Sequence, residues 1–387
     1  MTVKAFHQVP VYLTGRGIVR CDVAFDDVIR AVGNAPAGAE DIRLPQGATV
    51  LPGFLDLHVH GAGGADAMDA TPTTLGTIAD TLAKEGTTTF LATTMSEEHD
   101  KILAALAAVA EYRKTAPATG ARLLGVHLEG PFLSPVYCGA QRPEVLTPPT
   151  RERIDAYRKA CGDALRIVTV APERNGADEA IRYMRQHGIH VSAGHTDATE
   201  ADMVRAMAAG LSGVTHTYNA QRPLHHREIG VVGSALLYDD LCCELIADTI
   251  HVSVPAMRLL VKNKPHDKLT LITDAIRAKG MPEGESDLGG QKVFVRNGEA
   301  RLANGTLAGS VLRMCDAVKN MVQKVGVPFT DAVDFCTANP AKRLGIQDEV
   351  GSVTVGKRAD FTVMDEEFRI LMTVRDGNVI YKNKGIL

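Results

Sequence analysis

The sequence predicts an α/β fold: a (β/α)8 barrel of the TIM type, with a small β-sandwich domain built from both chain termini. Three observations lead there. Eight short apolar segments alternate with amphipathic stretches from Phe54 to about Gly345, both ends of the chain lack a helical period, and polar side chains gather at the last positions of the apolar segments. Strands that alternate with helices build a parallel sheet. The expected boundaries are 1–52 together with 351–387 for the β domain, and 53–350 for the barrel.

The N-terminal fifty residues read as strands over 11–13, 17–25 and 27–32, separated by turns. Strand candidates in the middle are FLDLHVH (54–60), TTTFLAT (87–93), LLGVHLE (123–129), LRIVTVAPE (165–173), IHVSAGH (189–195), LSGVTHT (211–217), CELIAD (243–248) and KLTLITD (268–274). Helical patterns over 73–84, 101–114, 177–187 and 200–209 separate several of them. The last segment, 351–381, returns to short strands with turn signals at Gly356 and Asp376-Gly377. Barrels of this type take ~250 residues and grow by insertion, so a middle of this length fits one barrel.

Composition narrows the function classes. Against 42 Lys and Arg stand 46 Asp and Glu, a formal net charge of −4. Such a balance supplies no global field for nucleic acid or a membrane surface, and any anion site must be local. Hydrophobic residues at 45% and charged residues at 23% argue against disorder. Seven cysteines form no CxxC pair, and the odd count suits reduced thiols in the cytoplasm. Lys4, His7, Gln8 and Pro10 interrupt the first segment, so no secretory signal is expected. No apolar run reaches the ~18 residues of a membrane span.

The polar residues carry the chemistry. His60, Glu129, His195, His216 and Asp274 each fall at the end of a strand candidate. C-terminal strand ends ring the active site of such a barrel, so these five converge on one opening. His58 and His60 are two apart on a strand and face the same side. A satisfied core histidine or a capping acid accounts for any one of them singly, but not for the set. Imidazole and carboxylate suit zinc, iron or a similar divalent ion. Such an ion makes water a nucleophile near neutral pH, which points to hydrolysis with Asp274 as the acid and base. His127, two residues before Glu129, reads as a core histidine.

The segments LPGFLDLHVHG, HLEGPF, SAGHTDAT, THTYNA, HHRE, LITDA, NGTLAGS and GKRADFTVMD occur in order along nearly the whole chain. This set resembles the amidohydrolase superfamily, and within it the N-acetylglucosamine-6-phosphate deacetylase family. The resemblance implies a metal site of Glu129, His195 and His216, with Glu129 replacing the carboxylated lysine of many relatives. His58 and His60 match members that hold a second ion. Asp274 matches the residue that activates water and protonates the departing amine. The implied reaction removes the acetyl group from N-acetyl-D-glucosamine 6-phosphate in amino-sugar catabolism.

Arg222, His225, His226 and Arg227 fall within six residues, a plausible local anion site in a near-neutral chain or else a solvated loop. By resemblance, Asn219, the Ala220 backbone and His251 bind the phosphate, and Arg227 reaches it from the neighbouring subunit of a homodimer. Gln141-Arg142-Pro143 stands where the family usually carries His-Asn-Pro, whose histidine contacts sugar hydroxyls. Gln141 is therefore expected at the substrate, and N-acetylgalactosamine 6-phosphate becomes the alternative substrate. Leu307 and Ala308 are candidates for the acetyl-methyl pocket. A cyclic-amide hydrolase would need a lysine at the end of the fourth strand, which is absent. A purine aminohydrolase gives no reason for the Arg227 cluster, and a non-catalytic scaffold gives none for the retained ligands.

Overall fold

The structure is a computed structural model that describes residues 2–115 and 117–385. Its centre is a parallel barrel of Phe54–Val59, Thr87–Thr93, Arg122–Glu129, Leu165–Val170, His190–Ala193, Gly213–Val214, Cys242–Ile246 and Leu269–Ile272, hydrogen-bonded in sequence order. The eighth strand closes on the first just past its end, where the Asp274 N–H donates to the His58 carbonyl at 2.9 Å and Val59 bridges Ala275. The strands are buried almost throughout, as expected where helices cover the outside of a parallel sheet. The (β/α)8 prediction therefore holds.

Local chemistry explains the helix limits. Glu200–Ala209 opens on a capping box, in which Thr199 accepts from the Asp202 N–H and Asp202 reaches back to the Thr199 N–H. It stops at Gly210, whose φ of +113° suits a residue without Cβ. Pro72–Ala83 starts from the cap Thr71 with proline in its first turn, where a missing N–H costs nothing. These helices fix where each following strand begins, and so where its last residue points.

Both termini join one eight-stranded sheet. Lys4–Leu13, Gly17–Phe25 and Ile29–Gly33 run antiparallel, and Thr49–Pro52 links Lys4–Leu13 to Phe361–Met364, Ile370–Arg375 and Asn378–Lys382. Phe6, Phe25 and Phe361 meet in its core at ring-centroid distances of 5.0–5.7 Å. Only Gly53 separates this sheet from the first barrel strand. A Cβ there would stand 2.2 Å from Thr88 Oγ1, so glycine lets the chain pass directly from sheet to barrel.

One element departs from the expected alternation. Between the eighth strand and the helix Met314–Asn320, the strands Gly284–Leu288, Gln291–Arg296, Glu299–Leu302 and Leu307–Ser310 form an antiparallel sheet. Asn297 and Gly298 both take positive φ at its second turn, the backbone a tight hairpin needs. Leu288, Val293 and Ala308 of this sheet pack on Ile276. Its last strand reaches the barrel mouth, where the Ser310 N–H donates to the Asp274 carbonyl at 2.8 Å. Among the described residues no helix is long and apolar enough to cross a membrane.

Candidate metal centre and active site

Six side chains from five strand ends converge at the barrel mouth. His58, His60, Glu129, His195, His216 and Asp274 are all at most 8% exposed. Nε2 of His195 and Nε2 of His216 stand 3.1 Å apart, and Glu129 Oε1 lies 3.2 and 2.9 Å from them. Nε2 of His58 and Nε2 of His60 stand 3.3 Å apart, with Asp274 Oδ1 at 3.3 and 3.2 Å. Glu129 Oε2 lies 3.3 Å from His60 Nε2, so this one carboxylate touches both histidine pairs.

The donor set fits a divalent cation. Atoms ~2.1 Å from a tetrahedral ion sit ~3.4 Å from one another, close to the spacings of both pairs. Two neutral imidazole lone pairs do not otherwise face each other at this range without a shared proton. The opposite ring atoms are tied in two cases. His195 Nδ1–H donates to the Tyr137 carbonyl at 3.2 Å, and His58 Nδ1–H to Glu244 Oε2 at 3.4 Å, leaving each Nε2 as the ligating atom. Glu129, His195 and His216 form one group able to hold an ion, and His58, His60 and Asp274 form another.

Electrostatics support the same reading. Burial works to raise the carboxyls of Asp274 and Glu129, yet the neighbouring imidazoles hold both below their usual values. Burial also opposes charge on His60, but hydrogen bonds and charge from Asp274 and Glu129 raise it to about 10. His216 is raised to about 9, against burial, chiefly by Glu129. Without a cation, the cluster thus stores protons in its place.

The backbone carrying these groups is strained. His195, His216 and Asp274 have φ of +46°, +30° and +50°, a region that costs a non-glycine residue about 1–3 kcal/mol. Hydrogen bonds from Ser134 to the His195 carbonyl and from Ser310 to the Asp274 carbonyl, both 2.8 Å, hold the turns. At Gly309, φ is +60°, and a Cβ would stand 2.9 Å from the Asp274 carbonyl. Glycine therefore permits the close approach that braces Asp274.

Beneath the ligands lies a polar layer that the sequence reading did not include. Glu244 and Arg343 pair at 2.8 Å, Glu244 fully buried and Arg343 nearly so. Arg343 also donates to Ser192 Oγ at 2.6 Å. A glutamate inside the otherwise apolar strand Cys242–Ile246 was the available signal. His127 has neither nitrogen free: Nδ1–H donates to the Leu57 carbonyl at 3.1 Å and Nε2 accepts from Thr169 Oγ1 at 2.7 Å. Burial lowers it to about 3, so it is a neutral core residue.

A cavity of about 310 Å³ opens above the ligands. Its lining includes Asn219, Ala220, His251, Gln141 and Leu307. His251 Nδ1–H donates to Asp248 Oδ2 at 2.6 Å, which frees Nε2 for a ligand. Gln141 is 3% exposed, and its amide bonds to Glu129 and to the Ser96 N–H, both at 2.8 Å. Ala308 does not reach the cavity: successive residues of Leu307–Ser310 point to opposite faces, and Ala308 packs with Met95 and Ile276. Arg222 is committed to Asp197 at 2.8 Å. Arg227 is exposed, outside the cavity lining, with Nη1 2.7 Å from His226 Nε2.

The model of the amidohydrolase family matches residues 49–380. An N-acetylglucosamine-6-phosphate deacetylase of Bacillus subtilis is 43% identical over 348 residues, 89% of this chain and 88% of the relative. An N-acetylgalactosamine-6-phosphate deacetylase of Escherichia coli O157:H7 is 38% identical, with 89% and 90% covered. Among solved structures, an N-acetyl-D-glucosamine-6-phosphate deacetylase mutant from Mycobacterium smegmatis, in complex with N-acetyl-D-glucosamine 6-phosphate, superposes with a TM-score of 0.91 at 30% identity. That match covers 99% of this chain and all of the other.

Proposed function

The chain belongs to the amidohydrolase family, and from that premise we infer that it removes the acetyl group from N-acetyl-D-glucosamine 6-phosphate, yielding glucosamine 6-phosphate and acetate. The observation that carries this reading is Glu129, whose two oxygens face two histidine pairs beside a buried aspartate. Glu129, His195 and His216 would hold one zinc or iron ion, and His58, His60 and Asp274 a second. A bound divalent cation supplies Lewis acidity, which polarises the acetamide carbonyl and lets water ionise near neutral pH.

The chain's own groups do the rest. Asp274, kept anionic by the histidines beside it, takes the proton of the attacking water at Oδ1. It returns that proton to the amine as the carbon–nitrogen bond breaks. Asn219, Ala220 and His251 bind the 6-phosphate, with Asp248 orienting the His251 ring so that Nε2 faces it. Leu307 lies against the acetyl methyl. Arg227 completes the phosphate site of a neighbouring subunit in a homodimer, which accounts for its exposure in the single chain. The enzyme works in the cytoplasm.

The test is acetate release from the gluco and galacto 6-phosphates and from unphosphorylated N-acetylglucosamine, with defined metal content. A preference for the gluco 6-phosphate supports the reading. A preference for the galacto compound would move the chain to the second substrate, to which the Escherichia coli relative already points. Equal turnover with and without phosphate would remove the phosphate site.

A further inference from the structure

We infer that Gln141 is a positioning residue: it holds the Glu129 carboxylate across the two histidine pairs so that both cation sites fill, and it does not bind the sugar. The inference rests on the reading of the cluster as a metal centre, and it concerns how that centre is kept in shape.

The orientation of the Gln141 amide is determined by its partners. The Ser96 backbone N–H can only donate, so the group 2.8 Å from it is the amide oxygen. The amide NH2 must then face Glu129, and it donates to Oε2 at 2.8 Å. That same oxygen lies 3.3 Å from His60 Nε2, whereas Oε1 lies 2.9 Å from His216 and 3.2 Å from His195. Without the donor, only His60 itself or a cation would hold Oε2 toward His60, and the carboxylate could turn both oxygens to the His195 and His216 pair.

The loop around Gln141 is held on both sides. Gln141 N–H closes a turn on the Cys138 carbonyl at 2.9 Å, and Gln291 donates to the Ala140 carbonyl at 2.6 Å from the inserted sheet. Arg142 pairs with Glu97 at 3.0 Å and with Glu144 at 2.8 Å. Gln141 is therefore a fixed donor, unlike a mobile group that meets a sugar. Its amide is already engaged by protein at both ends, with Met95 Sδ 3.6 Å from the same nitrogen.

The experiment removes the donor. Gln141→Met keeps the length of the side chain without its polar atoms, and Gln141→Asn keeps the amide but withdraws it by one methylene. Each variant and the parent are stripped, titrated with Co2+ against a competing chelator, and followed by the visible spectrum and bound cobalt per subunit. Expected are two ions in the parent, and in both variants a weakening of one ion by about 10–100-fold, the usual effect of losing a group that orients a ligand. KM for N-acetyl-D-glucosamine 6-phosphate should stay within about threefold while kcat falls. Two ions bound with parental affinity in a folded variant would overturn the inference, as would a parent that binds only one ion. A tenfold rise in KM with kcat intact would also overturn it, by making Gln141 a sugar contact. Should Gln141→Met fail to fold, Gln141→Asn decides alone. Because bound cobalt is read without substrate, a protein that binds two ions but releases no acetate would sink the proposed reaction and leave the role of Gln141 standing.

Discussion

Arg343 Nη1 lies 2.8 Å from Glu244 Oε1 directly beneath the ligand cluster, and Glu244 in turn accepts from His58 Nδ1 at 3.4 Å. The guanidinium holds the buried Glu244 carboxyl well below its usual value, overcoming the burial that would raise it. Arg343→Met would leave a buried charge without its partner, which typically costs about 3–5 kcal/mol. Urea unfolding of the metal-free protein should show that loss. Adding Glu244→Gln to Arg343→Met should recover part of it, because the second change removes the stranded charge. An unchanged midpoint in the single variant would mean that the pair is not what stabilises this layer.

Asp274, to which the proposed reaction assigns the proton transfers, is braced by Ser310 and by its contacts to His58 and His60. Asp274→Asn keeps the size of the side chain and removes the base. We expect kcat to fall by about 10²–10⁴-fold while at least one ion per subunit stays bound. The check is steady-state kinetics on the same preparation whose metal content is measured. Near-normal kcat with metal retained would rule out Asp274 as the acid and base.

Metal loading should release protons. In the metal-free protein His60 and His216 are raised to about 10 and about 9, so both carry protons at neutral pH, whereas a ligating imidazole is neutral. Binding an ion must expel those protons. Lowering the pH therefore weakens binding, by up to about tenfold per pH unit for each proton displaced, and the dependence fades above the raised values. Calorimetric titration with Zn2+ in two buffers of different ionisation enthalpy counts the protons, and about one or two per subunit are expected. The metal-free enzyme should release no acetate until an ion is restored. A count of zero would show that the cluster is not protonated before loading.

The parts of this molecule that were legible in the sequence are those written in local chemistry. Five of the eight barrel strands announce their ends, because His60, Glu129, His195, His216 or Asp274 stands within two residues of the last apolar position. The helix Glu200–Ala209 has the limits its pattern predicts, since Thr199, Asp202 and Gly210 are adjacent cap residues. The inserted sheet was missed because the βα alternation was carried on past Asp274, although Asn297-Gly298 and Asn304-Gly305 are hairpin signals. Other features depend on residues far apart in sequence. Glu244 finds Arg343 ninety-nine positions away, and the amide of Gln141 is oriented by Ser96. Leu307 and Ala308 are neighbours in sequence, but on a strand neighbours point to opposite faces, and Leu307 lines the cavity while Ala308 does not.

His251 offers a test of the phosphate site that leaves the chemistry alone. Asp248 accepts from His251 Nδ1–H and also from the backbone N–H groups of Ile250 and His251, each at 2.8 Å. The ring is thus locked with Nε2 available to the cavity. His251→Ala removes one charge-assisted contact of about 1.5–3 kcal/mol, so KM for the phosphorylated substrate should rise about 10–100-fold with kcat little changed. Turnover of unphosphorylated N-acetylglucosamine should not change. Equal losses for both sugars would instead place His251 at the sugar ring.

Arg227 is exposed on the loop between the sixth strand and the helix Gly230–Leu237, outside the cavity of its own chain. If it serves a neighbouring site, its loss should act across the subunit boundary. Arg227→Ala alone should raise KM by about 10–100-fold, the value of one charge-assisted phosphate contact. Subunits carrying only Arg227→Ala are then mixed with subunits carrying only Asp274→Asn. In a mixed dimer the first supplies an intact Asp274 and the second an intact Arg227 to the same site. Such dimers should recover a KM close to that of the parent, at up to half its kcat. Failure of complementation in dimers proven to have exchanged, or full activity in a monomer, would confine Arg227 to its own chain and leave the loop as solvated surface.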